Sequence, residues 1–157
     1  MKRKKLRDLA LIAEVVSGIA IILTLAFLAF EMRDNTNASQ AQTYQILMAE
    51  LNNYRSMLGE PGMATIIEKR RDEGWDSLNR VEKRRLRGTA LINWGIYESA
   101  FFANQRGILG QSEWTRFEAA ICRRFGNSKH LWAPEGFTPM NELLTSEFAD
   151  YVVELCE

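Results

Sequence analysis

The chain has 157 residues in which 20 Lys and Arg balance 20 Asp and Glu, with two cysteines and a single histidine. That is the size of one domain with a modest core, and the neutral balance argues against a broad nucleic-acid interface. One imidazole and two thiols with 33 residues between them exclude a His-x-x-x-His pair and a zinc-finger spacing, and no Walker A run or G-x-G-x-x-G occurs.

Residues 1–8 form a basic flank carrying Lys2, Arg3, Lys4, Lys5 and Arg7. Residues 9–30, LALIAEVVSGIAIILTLAFLAF, follow as 22 positions where only Glu14, Ser17 and Thr24 have polar side chains. At about 1.5 Å per residue the run covers roughly 33 Å, enough to cross a hydrocarbon core of about 30 Å, so it reads as a transmembrane signal anchor. A cleavable signal peptide is the first alternative. The run is longer than its apolar region of about 7 to 15 residues, and it ends Leu28, Ala29, Phe30, Glu31, Met32 without an A-x-A site. A buried core helix is the second alternative, but such helices are seldom apolar on every face. The flank before the run holds five basic residues against one acid, whereas Glu31 to Asp34 holds one Arg against two acids. The positive-inside rule then keeps the N-terminus in the cytoplasm and residues from Glu31 onward outside it, as expected for a single-pass protein of a bacterial inner membrane.

Within the run, Ala10, Ala13, Ser17, Ala20 and Thr24 are spaced 3, 4, 3 and 4 apart, a seam of small residues on which two spans would pack as a homo-oligomer. Glu14 lies beside that seam. An intramembrane acid must snorkel, stay protonated or find a partner, which makes it a functional candidate by default.

Neither Gly nor Pro occurs between Gly18 and Gly59, so one helix is free to continue from the span. Asp34 to Asn37 is the weak point, because these side chains compete for backbone hydrogen bonds. Residues 31–58 read as a juxtamembrane amphipathic helix with Tyr44, Leu47, Met48, Leu51, Tyr54 and Leu58 on one stripe. Gly59 to Gly62 ends it, and residues 59–157 form a helical domain packed on it. A short helix is expected from Met63 to Asp72. Asn79 with Glu82 has the form of a capping box and opens a long helix burying Leu86, Ala90, Trp94, Tyr97 and Phe101, which stops at Arg106 and Gly107. Ser112 is expected to cap a helix carrying Trp114, Phe117, Ile121 and Phe125. Residues 126–137 read as a loop, Thr138 and Pro139 as a new helical turn, and Phe148, Tyr151, Val152 and Leu155 as the face of a further helix. The fold class is therefore all-α: one N-terminal transmembrane helix continuing into, or followed by, a small bundle of about four to five helices.

The stretch LAFLAFEMRDNTNASQAQTYQ, with the spacing from LNRVEKRR through YESAFFANQRGILGQSEWTRF to SEFADYV, resembles a family of small bacterial membrane proteins of unassigned function. The resemblance implies one N-terminal span and a helical domain. It supplies no catalytic residues, cofactors or metal ligands.

Several residues remain as candidates. Cys122 and Cys156 would meet an oxidising compartment in this topology, where two thiols can become a disulfide, and two free buried thiols is the plainer reading. Lys83, Arg84, Arg85 and Arg87 sit near a helix start, where the macrodipole disfavours cations, and are candidate lipid contacts; local pairing with Glu68, Asp72, Glu73, Asp76 and Glu82 is the plainer account. Trp94, Tyr97, Phe101, Phe102, Trp114, Phe117 and Trp132 form either the core or the wall of an apolar pocket. Glu98 is either a buried pocket carboxylate or a paired surface acid, and His130 a loop-packing residue. Asn37, Ala38, Ser39 matches a glycosylation sequon without meaning in a bacterial protein. The expected function is a membrane-anchored, non-catalytic interaction or scaffold module with an unidentified protein partner. The alternative is an accessory protein binding an apolar ligand or anionic lipid.

Overall fold

A computed structural model describes the backbone of residues 2–132 and 138–156, and the side chains of Glu14, 16–129, 131–132 and 138–156. Five helices and no strand occur among the described residues: α1 (Lys2–Gly59), α2 (Pro61–Glu73), α3 (Arg80–Gln105), α4 (Gln111–Trp132) and α5 (Ser146–Cys156), with a 3-10 turn at Met140–Glu142. Two compact units divide inside α1, between Ser39 and Gln40.

The first unit is helix alone. Residues 34–37 do not break it: the Thr36 hydroxyl donates to Met32 O one turn back at 2.9 Å, so the side chain serves the helix rather than competing with it. The expected helix thus continues unbroken to Gly59. By length and composition it is the one helix among the described residues able to cross a membrane, and its apolar window has no protein cover, with Ile22, Phe27 and Phe30 more than 60% exposed. The side chains of the basic flank, of Ala10 and of Ala13 are not among those described. Ser17, Ala20 and Thr24 are exposed, and the Thr24 hydroxyl already donates to Ala20 O at 2.9 Å.

The second unit is built around α3. Its start is the box read from sequence: Asn79 Oδ1 accepts from the Val81 and Glu82 N–H groups at 2.9 Å, while Glu82 Oε2 accepts from Asn79 N–H at 2.8 Å. Its end is a Schellman turn, with Gly107 at φ 70° and the Ile108 N–H donating to Ala103 O at 2.9 Å. Leu86, Ala90, Trp94, Tyr97 and Phe101 are all buried between these ends. Trp114, Phe117, Ile121 and Phe125 of α4 meet them, joined by Met140, Phe148 and Val152, and Trp94 has no exposed surface. A satellite cluster of Ile66, Leu78 and Leu86 fastens α2 to the first turns of α3.

Four details differ from the sequence reading. Helix α2 opens at Pro61, whose missing N–H costs nothing in a first turn. Helix α4 opens on Gly110, whose carbonyl takes the Trp114 N–H, so Ser112 is inside the helix and donates to Glu113 instead. That bond holds the Glu113 carboxyl below its usual range. The expected loop beyond Gly126 is helical to Trp132 with one irregular residue, Ser128 (φ −130°, ψ 19°). A helical glycine costs only about 1 kcal/mol, which is offset here by burial of Leu131 and by Trp132 packing edge-on against Trp94 and Phe125, both at 5.1 Å. Pro134 and Phe137 lie outside the described residues. In α5, Phe148 and Val152 are buried and Tyr151 half-buried, but Leu155 is exposed, and Ala149 and the preceding Leu144 face inward instead.

Candidate ligand groove

The stripe of α1 meets the rest of the second unit incompletely. Leu47 and Tyr54 are buried, whereas Tyr44, Met48, Leu51 and Leu58 remain half-buried because they floor an open groove of about 560 Å³ between α1, α3 and α4. Helix α4 contributes Arg116, Ala120, Arg123 and Asn127, positions spaced 4, 3 and 4 apart and hence on one face. Phe117 and Tyr97 complete the apolar floor.

Four arginines line this groove, Arg55, Arg116, Arg123 and Arg124, and no carboxylate does. Among the described residues none of the four is in an ion pair. The hydrogen-bond partners of three of them are neutral, although the Glu113 carboxylate lies within electrostatic reach of Arg116. Arg116 donates to the Tyr44 hydroxyl at 3.3 Å, Arg124 to the Tyr54 hydroxyl at 2.9 Å, and Arg55 to Asn52 Oδ1 at 3.0 Å. The Arg124 guanidinium also lies 6.0 Å from the Tyr54 ring centroid, within cation-π range. Burial pushes the Tyr54 hydroxyl above the usual phenol range despite this neighbouring charge.

Asn93 of α3 lines the groove at 2% exposure. The Arg124 Nε is buried without a hydrogen-bond acceptor.

The residues singled out by sequence lie elsewhere. Glu98 is no pocket acid: its Oε1 accepts from the Thr145 N–H and hydroxyl, each at 2.7 Å, and so holds the start of α5. The basic run does not form one face. Arg87 is buried and donates to Thr138 O, so it is not available to a headgroup, and Lys83 pairs with Asp76 at 3.9 Å over the Trp75 ring. Burial alone lowers the Arg87 pKa from its ordinary value. Arg84 and Arg85 stay exposed, and Glu82 of the same turn accepts from Lys69 at 3.0 Å. Cys122 and Cys156 form a disulfide between α4 and α5 with a Cα separation of 5.1 Å. Of the aromatics, Trp94, Phe101 and Trp114 are core, while Tyr97 and Phe117 reach the groove from the core side. Glu14 is exposed, and the His130 side chain lies outside the described residues.

The groove arginines escaped the sequence reading because they come from two helices and from no charge run. The signal that would have found them is phase: 44, 48, 51, 55 and 58 share a face of α1, as 116, 120, 123 and 127 share one of α4. Comparison of the chain with family models, with curated proteins and with solved structures returned no match.

Proposed function

We propose that the chain is a single-pass membrane protein, anchored by residues 9–30 with its N-terminus in the cytoplasm, whose helical domain is a non-catalytic binding module for an anionic ligand. The observation that carries the ligand reading is the arginine groove itself. Four guanidinium groups, three of them exposed and Arg124 half-buried, over an apolar floor with no carboxylate in the lining leave net positive charge along the groove, where an incoming anion is held by charge-assisted hydrogen bonds. The anchor reading rests on the uncovered apolar run and the five basic residues before it.

Full chain extracted in a neutral maltoside detergent should carry an anionic adduct in native mass spectrometry, and Arg116→Gln/Arg123→Gln should lose it. Identical adduct masses on wild type and variant would refute the groove as its seat. A reporter active only outside the cytoplasm, fused after Glu157, should be active. Activity of a cytoplasm-only reporter at that position would reverse the orientation.

A further inference from the structure

The two arginine–tyrosine contacts fix the direction of the groove. Tyr44 meets Arg116 and Tyr54 meets Arg124, so α1 and α4 run parallel along it. Ten residues of one helix and eight of the other separate the contacts, about 12 to 15 Å. Charge is unequal between the two ends. Arg116 stands alone at the Tyr44 end, whereas Arg55, Arg123 and Arg124 gather with Asn127 at the Tyr54 end. The residues between are Met48, Leu51, Phe117 and Ala120.

The charged end adjoins a second cavity. A smaller cavity of about 150 Å³, walled by Ile67, Trp75, Leu86 and Leu131, shares Tyr54, Leu58 and Arg124 with the groove and brings Arg70 of α2 to the same corner. Arg70 is half-buried and has no ion pair among the described residues, and burial, with the Arg124 charge second, lowers its pKa. Four arginines therefore line one end of an apolar strip, with no carboxylate among the residues lining either cavity.

We propose that the groove holds a single-chain anionic amphiphile, its head among Arg55, Arg123 and Arg124 and its hydrocarbon tail along Met48, Leu51 and Phe117 toward Tyr44. This rests on reading the groove as an anion site and names the ligand's class and direction. An acidic peptide fits less well, because as an extended strand it would need backbone partners, and the groove walls are helices whose N–H and C=O groups are already engaged. A hydrocarbon chain makes no such demand, and a chain anchored by an apolar run has its supply in the membrane.

The test uses full chain in phosphatidylcholine nanodiscs and an alkyl phosphate bearing a diazirine at its tail end, with cross-links mapped by peptide mass spectrometry. Label is expected on peptides containing Met48 and Phe117. Since each charge-assisted hydrogen bond is worth about tenfold or more in affinity, Arg123→Gln/Arg124→Gln should cut that label at least about tenfold, whereas Arg84→Gln, an exposed arginine of α3 outside the groove, should leave it within about twofold. Leu51→Trp, which fills the floor and leaves every arginine in place, should abolish it too and serves if the double variant fails to fold. The matching alkyl alcohol should label residues 9–30 alone. Label confined to 9–30, equal label from the alcohol, or equal loss in Arg84→Gln overturns the proposal. Arginine-dependent binding of a poly-glutamate peptide without alkyl phosphate label would overturn the amphiphile and leave the anion site standing; binding of neither would remove both.

Discussion

Reducing the disulfide between Cys122 and Cys156 should weaken the helical domain by an amount that follows from where the bond sits. It closes a loop of sequence separation 34 and ties the end of α5 to the middle of α4. Treated as loss of loop-closure entropy in the unfolded chain, a bridge of that span contributes about 3.8 kcal/mol at 25 °C. Domains of ordinary stability have about 5 to 15 kcal/mol in all, so reduction removes a large share of it. With a urea dependence of about 2 kcal/mol per molar, the midpoint should fall by about 2 M. Full chain in a neutral detergent, denatured in urea with and without reductant and followed by tryptophan fluorescence, measures this. Cys122→Ser/Cys156→Ser should reproduce the reduced curve and be insensitive to reductant. Two alkylatable thiols in protein isolated without reductant, or a midpoint shift below about 0.5 M, would refute the reasoning and would also weaken the extracytoplasmic assignment.

Ile121 of α4 is fully buried in the core, so Ile121→Ala should cost about 2 to 5 kcal/mol in urea denaturation. Asn79→Ala removes the acceptor for two N–H groups at the start of α3 and should cost about 1 kcal/mol. Donation from the Asn79 N–H, then from Lys69, holds the Glu82 carboxyl below its ordinary range. A depressed folded pKa means stability that is present above the unfolded value of about 4.3 and lost as pH falls through the folded one. Glu82→Gln should therefore differ from wild type near neutral pH and converge with it in acid, and a constant difference across that range would exclude the linkage. In an in-membrane association assay, Ala13→Leu and Ser17→Leu should reduce self-association while Ile22→Leu leaves it unchanged. An equal signal from all three and wild type would remove the small-residue seam.

Elements set by local chemistry were legible in the chain. The Asn79–Glu82 box, the Gly107 stop and the periodic burial of Trp94, Tyr97 and Phe101 depend on neighbours within one or two turns, and all occur as read. Ser112 and Gly126 misled for a shared reason. A good capping residue does not cap where a neighbouring carbonyl already serves, and a glycine does not stop a helix whose continuation buries Leu131 and packs Trp132. The groove was beyond local reading. It depends on Tyr44 meeting Arg116 and Tyr54 meeting Arg124, contacts across 72 and 70 residues that no window of sequence contains.

Helix α5 is held at both ends, by Glu98 at Thr145 and by the disulfide at Cys156, and it supplies two residues with no exposed surface, Phe148 and Val152. It is also synthesised after every element on which it packs. Until it emerges, the faces of Trp94 and Phe101 that it covers stay open, so the domain has no route to a finished core by growing outward from its first helix. A chain delivered segment by segment across a membrane would spend that interval with an aromatic surface bare, which is the condition under which nascent domains aggregate or engage a chaperone. The clasp on α5 thus makes closure of the domain a single late event, coupled to oxidation of two thiols that become neighbours only when the chain between them is complete.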